Sequence, residues 1–212
     1  MESIKELLKE SSELLVLFLG YVGLEVIKRV KQLRTAKIAE AKSDPKVLMQ
    51  KKNDIENHCV VIGDQTKAQH VSVWRLHNGE FYAGGDSIKK LSMYTEWAIT
   101  DSLHVDAQSQ NLPLKNFSKT FVAMSENEFV SLQQGHCDDW HMDKFMKSRG
   151  YSYMVCVLLH APRENDNRLV SVGMLCIAYL SENFDFKSIN SHQVLKYKKE
   201  LEYKIDNFLT NN

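Results

Sequence analysis

The chain has 212 residues, enough for one ordinary domain with an appendage, and its apolar and charged fractions of 43% and 25% are typical of a soluble globular protein. Its 27 basic and 27 acidic residues cancel, so no overall charge attracts it to nucleic acid, and we expect no nucleic-acid partner. The four cysteines are too widely spaced for a CxxC pair or a zinc finger, which favours reduced thiols and a cytoplasmic setting.

An uncharged apolar run, Leu14–Leu24, is the first feature along the chain. Together with its flanks, Ser11–Ile27, it reaches the lower limit of about 17–25 residues for a helix that spans a bilayer. Basic residues then accumulate over Lys28–Lys46, which places the rest of the chain on the cytoplasmic face and the N-terminus outside. We expect a long N-terminal helix that anchors the protein through Leu14–Ile27. The alternative is that this helix packs against protein subunits of an assembly, with a homo-oligomer as one form.

A domain boundary is predicted near residue 45. Asp44 suits a helix N-cap and Pro45 suits the first helical position. Residues 1–45 are then a hydrophobic helix with a basic stalk, and residues 46–212 form the folded domain. Apolar residues at helical spacing, including Ile55, Cys59 and Ile62, predict a helix that runs to about Thr66.

Two strands are predicted next. Gln69–His77 alternates in polarity and ends at Asn78-Gly79, a strong signal for a hairpin turn. Ile88–Ile99 is the return strand. Simple alternation places four of its residues on one face: Leu91, Met93, Thr95 and Trp97.

The segment from 100 to 149 is less regular. We expect a loop around Pro113 that enters a short strand near Thr120–Met124, and a helix over Asp138–Ser148 that Gly150 ends.

The last third of the sequence is the most regular. Tyr151–His160 is almost continuously apolar, as expected of a central strand covered on both faces, and Leu169–Leu180 follows as its partner. His192–Leu209 has one apolar face at helical spacing. This order of elements predicts an α+β fold, an antiparallel β-sheet flanked by helices, which we place on one face, and preceded by the long N-terminal helix.

Two sequence stretches resemble the late hairpin of GAF domains, within the GAF/PAS superfamily. They are Arg149–Leu158 and Leu169–Ile177, the second containing Val172-Gly173-Met174-Leu175. The first hairpin, Val71–Gly79, is similar to small phage-encoded GAF-like proteins, some of which carry an N-terminal hydrophobic segment. The resemblance covers about residues 46–212. It implies a sensor fold in which a sheet and a variable helical middle enclose a ligand pocket.

Candidate ligand-binding residues follow from that resemblance. The strand of Ile88–Ile99 is expected to line the pocket floor, and Glu96 can accept a hydrogen bond from a ligand, although a surface carboxylate is the simpler interpretation. The variable middle supplies the opposite wall. The full set is Met93, Thr95, Glu96, Trp97, His104, His136, Cys137 and His141.

The segment Gly135–His141 has the richest side-chain chemistry, with imidazole, thiol and carboxylate groups. His136 and His141 are five residues apart, whereas a helix brings residues four apart together, so we predict a polar pocket wall or surface turn and no metal site. Thiol redox chemistry at Cys137 is the one residual enzymatic alternative. No cofactor is identified and no catalytic residue is assigned.

Two functions are consistent with these features. The first is a membrane-tethered sensor or interaction domain that binds a small ligand or a protein partner without catalysis. The second is a structural component of a larger assembly such as a phage particle, in which the N-terminal helix packs against other subunits. A polar pocket with apolar walls favours the first, and a filled interior favours the second.

Overall fold

A computed structural model of the protein describes residues 27–28, 45–81, 87–100, 109–162, 169–180 and 190–205. The apolar run Leu14–Leu24 and the candidate ligand residue His104 lie outside these ranges. The chain divides into two compact units, residues 1–49 and 50–212. Within the described ranges, no helix combines the length and the apolar character needed to cross a membrane.

The described helices and strands lie between residues 45 and 205. The elements are α1 (Pro45–Thr66), β1 (His70–Phe81), β2 (Ser87–Ala98), β3 (Leu112–Pro113), a 3-10 turn (Leu114–Phe117), α2 (Ser118–Glu126), β4 (Val130–Gln133), α3 (Trp140–Arg149), β5 (Tyr153–Pro162), β6 (Leu169–Tyr179) and α4 (Ser191–Ile205).

The six strands form one antiparallel sheet in the order β3-β2-β1-β6-β5-β4. β1, β2 and β3 form one half of the sheet, with β3 at its edge. β4, β5 and β6 form the other half, with β4 at its edge and β6 beside β1. β6 therefore pairs on both sides. β6 lies close to the β1 backbone at Gly173, where a Cβ atom would lie 2.0 Å from the carbonyl oxygen of Trp74. Only glycine fits at this position without moving the backbone.

Helices cover both faces of the sheet. On one face, α1 and α4 contribute Ile55, Cys59, Ile62, Val194, Tyr197, Leu201 and Ile205 to a cluster that we call the α1/α4 core. On the other face, α2 and α3 pack on a second cluster, which we call the methionine core because it includes Met93, Met124, Met142, Met146, Met154 and Met174. The prediction that the helices lie on only one face of the sheet is wrong.

The amino-acid pattern of β5 explains why two layers are needed. Val155, Val157 and Leu159 belong to the α1/α4 core, whereas Met154 and Cys156 belong to the methionine core. A strand that is apolar on both faces must be shielded from water on both faces. The predicted central position of this strand is confirmed, since β5 pairs with β4 on one side and with β6 on the other.

Two local predictions are wrong. β1 continues through Asn78-Gly79 to Phe81, so its connection to β2 falls within residues 82–86, outside the described ranges. The segment Thr120–Met124, predicted as a short strand, lies within helix α2. Its buried residues, Thr120 and Met124, are four positions apart, and this spacing is helical. The helix predicted over Asp138–Ser148 is observed as α3, and Gly150 ends it with a φ of 70°.

Candidate functional site

A β-bulge in β2 determines which predicted site residues share a face. Val73 pairs with Thr95, but the next residue, Trp74, pairs with Met93, so Tyr94 has no residue directly opposite it in β1. The alternation of side chains is reset at this point. The expected common face of Leu91, Met93, Thr95 and Trp97 is therefore wrong.

The residues on the two sides of the bulge enter different cores. Leu91 and Met93 belong to the methionine core. Thr95, which pairs with Val73, is on the opposite face, and Trp97 packs against the α1/α4 core. A Cβ atom at Gly63 of α1 would lie 2.0 Å from the Trp97 ring, so the indole lies directly against the helix backbone.

A groove of about 290 Å³ runs along β2 at the bulge. Three of the predicted ligand residues line it together: Met93, Thr95 and Glu96. Its other lining residues were not predicted: Lys52 and Glu56 from α1, Tyr94 at the bulge and Gln110 after β2. This volume is at the lower end of the range for small-molecule sites.

Glu96 is held in place by a buried histidine. Nε2 of His70 lies 2.9 Å from Oε2 of Glu96, and the exposed fractions of the two side chains are 1% and 15%. His70 precedes Val71 in β1 and pairs with Ala98, so the imidazole is on the methionine-core face of the sheet. It also stacks on Tyr151, with ring centroids 5.4 Å apart and an interplanar angle of 17°. The bond fixes the carboxylate of Glu96 on this face of the sheet, and Glu96 is also one of the residues that line the groove.

The groove presents both donors and acceptors. The amide nitrogen of Gln110 donates to the carbonyl oxygen of Met93 at 2.9 Å, which leaves the amide oxygen of Gln110 able to accept. Burial raises the pKa of Tyr94 to about 12, against a smaller opposite effect of Arg75, so its phenol stays protonated at neutral pH. Lys52 and Glu56 add one charge of each sign.

Tyr151 is the unusual polar group beside this site. Its side chain is fully buried, and its hydroxyl has no hydrogen-bond partner among the described residues. Burial, opposed by Arg149, raises the pKa of Tyr151. A buried hydroxyl without a partner costs free energy, and such groups in a native structure call for an explanation.

The space between the sheet and residues 109–149, where the resemblance implies a ligand pocket, is filled in the described part of the chain. Trp74, Phe117, Phe145 and Met142 surround a void of only about 10 Å³. This is at the lower limit of the roughly 10–15 Å³ that one water molecule needs. The lining is apolar or sulfur-containing, so the void is not a preformed ligand pocket.

The predicted residues of the variable middle lie elsewhere. His136 and His141 are exposed, and His141 packs edge-on against Trp140 with ring centroids 4.8 Å apart. Asp139 caps α2, because its carboxylate accepts hydrogen bonds from the backbone N–H groups of Thr120 at 2.6 Å and Lys119 at 3.3 Å. These side chains do not converge. No group of three potential metal ligands of the His, Cys, Asp or Glu type occurs in the described ranges.

Cys137 lies partly buried at the edge of the methionine core. Its thiol donates to the carbonyl oxygen of Gln133 at 3.3 Å, and Sγ lies 3.6 Å from Sδ of Met146. Burial, with the nearby carboxylate of Asp143, raises the pKa of Cys137 to about 12. A reactive thiol requires the opposite shift.

A second, larger groove lies at the other end of the sheet. It has a volume of about 470 Å³ and is lined by Gln133, Gln134, Gly135, Asp143, Lys147, Ser152 and Tyr153. Asp143 accepts a hydrogen bond from the backbone N–H of Gly135, which fixes one wall. None of the predicted ligand residues lines this groove.

Comparisons with solved structures show the fold. The chain is similar to a far-red cyanobacteriochrome photoreceptor, with a TM-score of 0.57 and 10% identity over 82% of this chain and 96% of the other. The blue-light absorbing form of the PixJ GAF domain of Thermosynechococcus elongatus gives 0.51 and 13%, over 76% and 90% of the two chains. A GAF domain/HD domain protein from Geobacter sulfurreducens gives 0.50 and 10%, over 76% and 91%.

The chain therefore has a GAF-like fold, as its late hairpin predicted. No protein-family model matches the sequence, and no curated protein matches it. At identities of 10–13% the likeness extends to the fold and not to a ligand.

Proposed function

We propose that this protein is a non-catalytic sensor domain that binds a small polar ligand in the groove along β2. The observation that carries this proposal is the fixed position of Glu96, a residue that lines a groove of about 290 Å³ and whose carboxylate is bonded to buried His70 at 2.9 Å. A ligand with an amine or hydroxyl donor would bond to Glu96, and Lys52 would attract an acidic group on the same ligand. Solved neighbours of this fold include a phycocyanobilin-bound GAF domain, which supports a ligand-binding role in general.

Binding in this groove would be communicated through the sheet. Glu96 contacts His70, and His70 stacks on Tyr151 in the methionine core. Methionine side chains repack easily, so a ligand that moves Glu96 can shift the packing under α2 and α3. A ligand shifts such an equilibrium only as far as its affinities for the two packings differ.

Titration of ¹⁵N-labelled protein with free amino acids tests this proposal. These zwitterions carry both groups that the groove complements. We expect amide shift changes at Tyr94–Glu96 and in α1 near Lys52, and a loss of these changes in Glu96→Gln. Shift changes confined to the second groove, near Asp143 and Lys147, would contradict the assignment of the site.

We also propose that Leu14–Ile27 anchors the domain to the cytoplasmic face of a membrane, with the N-terminus outside. The support is in the sequence alone: an uncharged apolar run followed by a basic flank. The full chain should stay with membranes after an alkaline carbonate wash. The double variant Phe18→Lys, Val22→Lys should not, because each central lysine costs roughly 2.5–3.5 kcal/mol on insertion. Equal release of both proteins by the wash would reject the anchor.

A second candidate function is a structural role in a larger assembly such as a phage particle. The filled interior under α2 and α3 favours it, together with exposed apolar side chains on that layer: Trp140 is 65% exposed and Val122 is 55% exposed. This role predicts a stable oligomer of the full chain. A monomer in sedimentation experiments in detergent would argue against it.

A further inference from the structure

The methionine core contains a pair of cysteines at the centre of the sheet. Cys156 of β5 and Cys176 of β6 are directly opposite each other in register. Their Sγ atoms are 3.5 Å apart, and the two residues are 0% and 2% exposed. Both cysteines are free.

Methionines surround this pair on the same face of the sheet. Met154 is two residues before Cys156 on β5, and Met174 is two residues before Cys176 on β6, so the strands place one methionine toward each end of the pair. Met142 of α3 closes the cluster from the helical layer, and all three methionines line the void of about 10 Å³ together with Cys176. Donor sulfurs thus come from two strands and one helix.

We propose that Cys156 and Cys176, supported by the surrounding methionines, form a buried binding site for a soft monovalent metal ion, Cu(I). Thiolate and thioether ligands select Cu(I) over harder ions. Metal–sulfur bonds of about 2.3 Å in a tetrahedral site place two sulfurs roughly 3.8 Å apart, so the observed 3.5 Å needs only a small adjustment. The ion itself needs no cavity larger than the one present.

Metal binding exchanges thiol protons for the ion. Before binding, the two Sγ atoms lie within hydrogen-bonding distance of each other. Cu⁺ replaces both thiol protons, which leave to solvent, and forms two Cu–S bonds, because the thiolate and not the thiol is the metal ligand. The methionine thioethers coordinate as neutral donors, and the site then carries one negative charge.

The same donors discriminate against zinc. Zinc sites use several cysteinate, imidazole or carboxylate ligands. The residues of the methionine core include two facing cysteines and no histidine or carboxylate, and the described ranges hold no set of three such ligands. Methionine thioethers complete the coordination shell of a soft metal ion such as Cu(I), but not that of zinc.

The test is an anaerobic titration of the purified full chain with Cu(I) against a chromophoric Cu(I) chelator. We expect one Cu(I) per chain, an X-ray absorption spectrum with sulfur ligands only, and no competition by Zn(II). The double variant Cys156→Ser, Cys176→Ser should lose at least tenfold in affinity. Cys59→Ser, which changes a buried cysteine in the opposite α1/α4 core, should bind Cu(I) as the wild type does.

Met174→Leu keeps the volume and apolar character of the core, so it provides a variant that folds even if the double serine variant does not. It should weaken Cu(I) binding several-fold. No Cu(I) retained against the chelator, nitrogen or oxygen ligands in the absorption spectrum, or unchanged affinity in both the double cysteine and the Met174 variants would each overturn the proposal.

Discussion

The imidazole of His70 and the carboxylate of Glu96 are joined across two neighbouring strands, with Nε2 of His70 2.9 Å from Oε2 of Glu96. The two residues are 26 positions apart in sequence. They lie diagonally across the two strands, because His70 of β1 pairs with Ala98 and Glu96 of β2 pairs with Ser72. The pair connects the groove along β2 with the interior, because His70 is buried and stacked on Tyr151.

Two replacements of Glu96 should separate the contribution of its bond with His70 from the contribution of its side-chain volume. Glu96→Leu leaves the buried imidazole of His70 without this partner, so we expect the free energy of unfolding to fall by about 1–3 kcal/mol. Glu96→Gln keeps the volume and an acceptor oxygen, and it should cost less than about 1 kcal/mol. Urea unfolding of the three proteins measures both effects. Equal stability of the leucine variant and the wild type would mean that the His70–Glu96 bond has no net structural value.

Tyr151→Phe should stabilise the domain. The hydroxyl of Tyr151 is buried and has no hydrogen-bond partner among the described residues, so its removal should raise the free energy of unfolding by about 1 kcal/mol. The matched control is Tyr197→Phe, because the Tyr197 hydroxyl donates to Oε1 of Gln65 at 2.6 Å and also accepts from Gln193. That variant should lose about 1 kcal/mol. The two changes remove the same atom, and we expect opposite effects on the free energy of unfolding. A loss of stability in Tyr151→Phe would show that its hydroxyl has a hydrogen-bond partner.

Cys137 should be unreactive in the folded protein. Its pKa is raised from 9.0 to about 12, so at pH 8 its thiolate fraction is about a thousandfold lower than that of an ordinary cysteine. Iodoacetamide labelling followed by peptide mass spectrometry should give a native rate lower by about this factor than the rate in urea. The native rate should rise about tenfold per pH unit toward pH 12 while the fold persists. Native labelling at pH 8 as fast as in urea would restore the thiol chemistry considered for Cys137.

Sequence patterns predicted the regular parts of this fold because each depends on local periodicity. The spacing of Ile55, Cys59 and Ile62 marks the buried side of α1, and the apolar run of β5 marks a strand covered on both faces. The turn predicted at Asn78-Gly79 is wrong, because β1 continues as a strand through these two residues. The switch of faces in β2 depends on a bulge at Tyr94, which no periodic pattern marks.

Three of the residues that line the groove along β2 are among the predicted ligand residues. Met93, Thr95 and Glu96 line one groove although Thr95 and Met93 are on different faces, because the groove follows the strand itself. His70, Lys52 and Gln110 were missed, since their positions depend on strand register and on the placement of α1 against β2. The sequence analysis did not identify the pair, although both residues lie on strands that it predicted to be neighbours.

The most direct test of the ligand-binding claim is native mass spectrometry of the full chain after incubation with an equimolar mixture of free amino acids. Glu96→Gln and Asp143→Asn, the matched change in the second groove, are measured beside the wild type. We expect a retained ligand mass on the wild type and on Asp143→Asn, and its loss in Glu96→Gln. A retained mass that persists in Glu96→Gln and disappears in Asp143→Asn, or no retained mass on any of the three proteins, would contradict it.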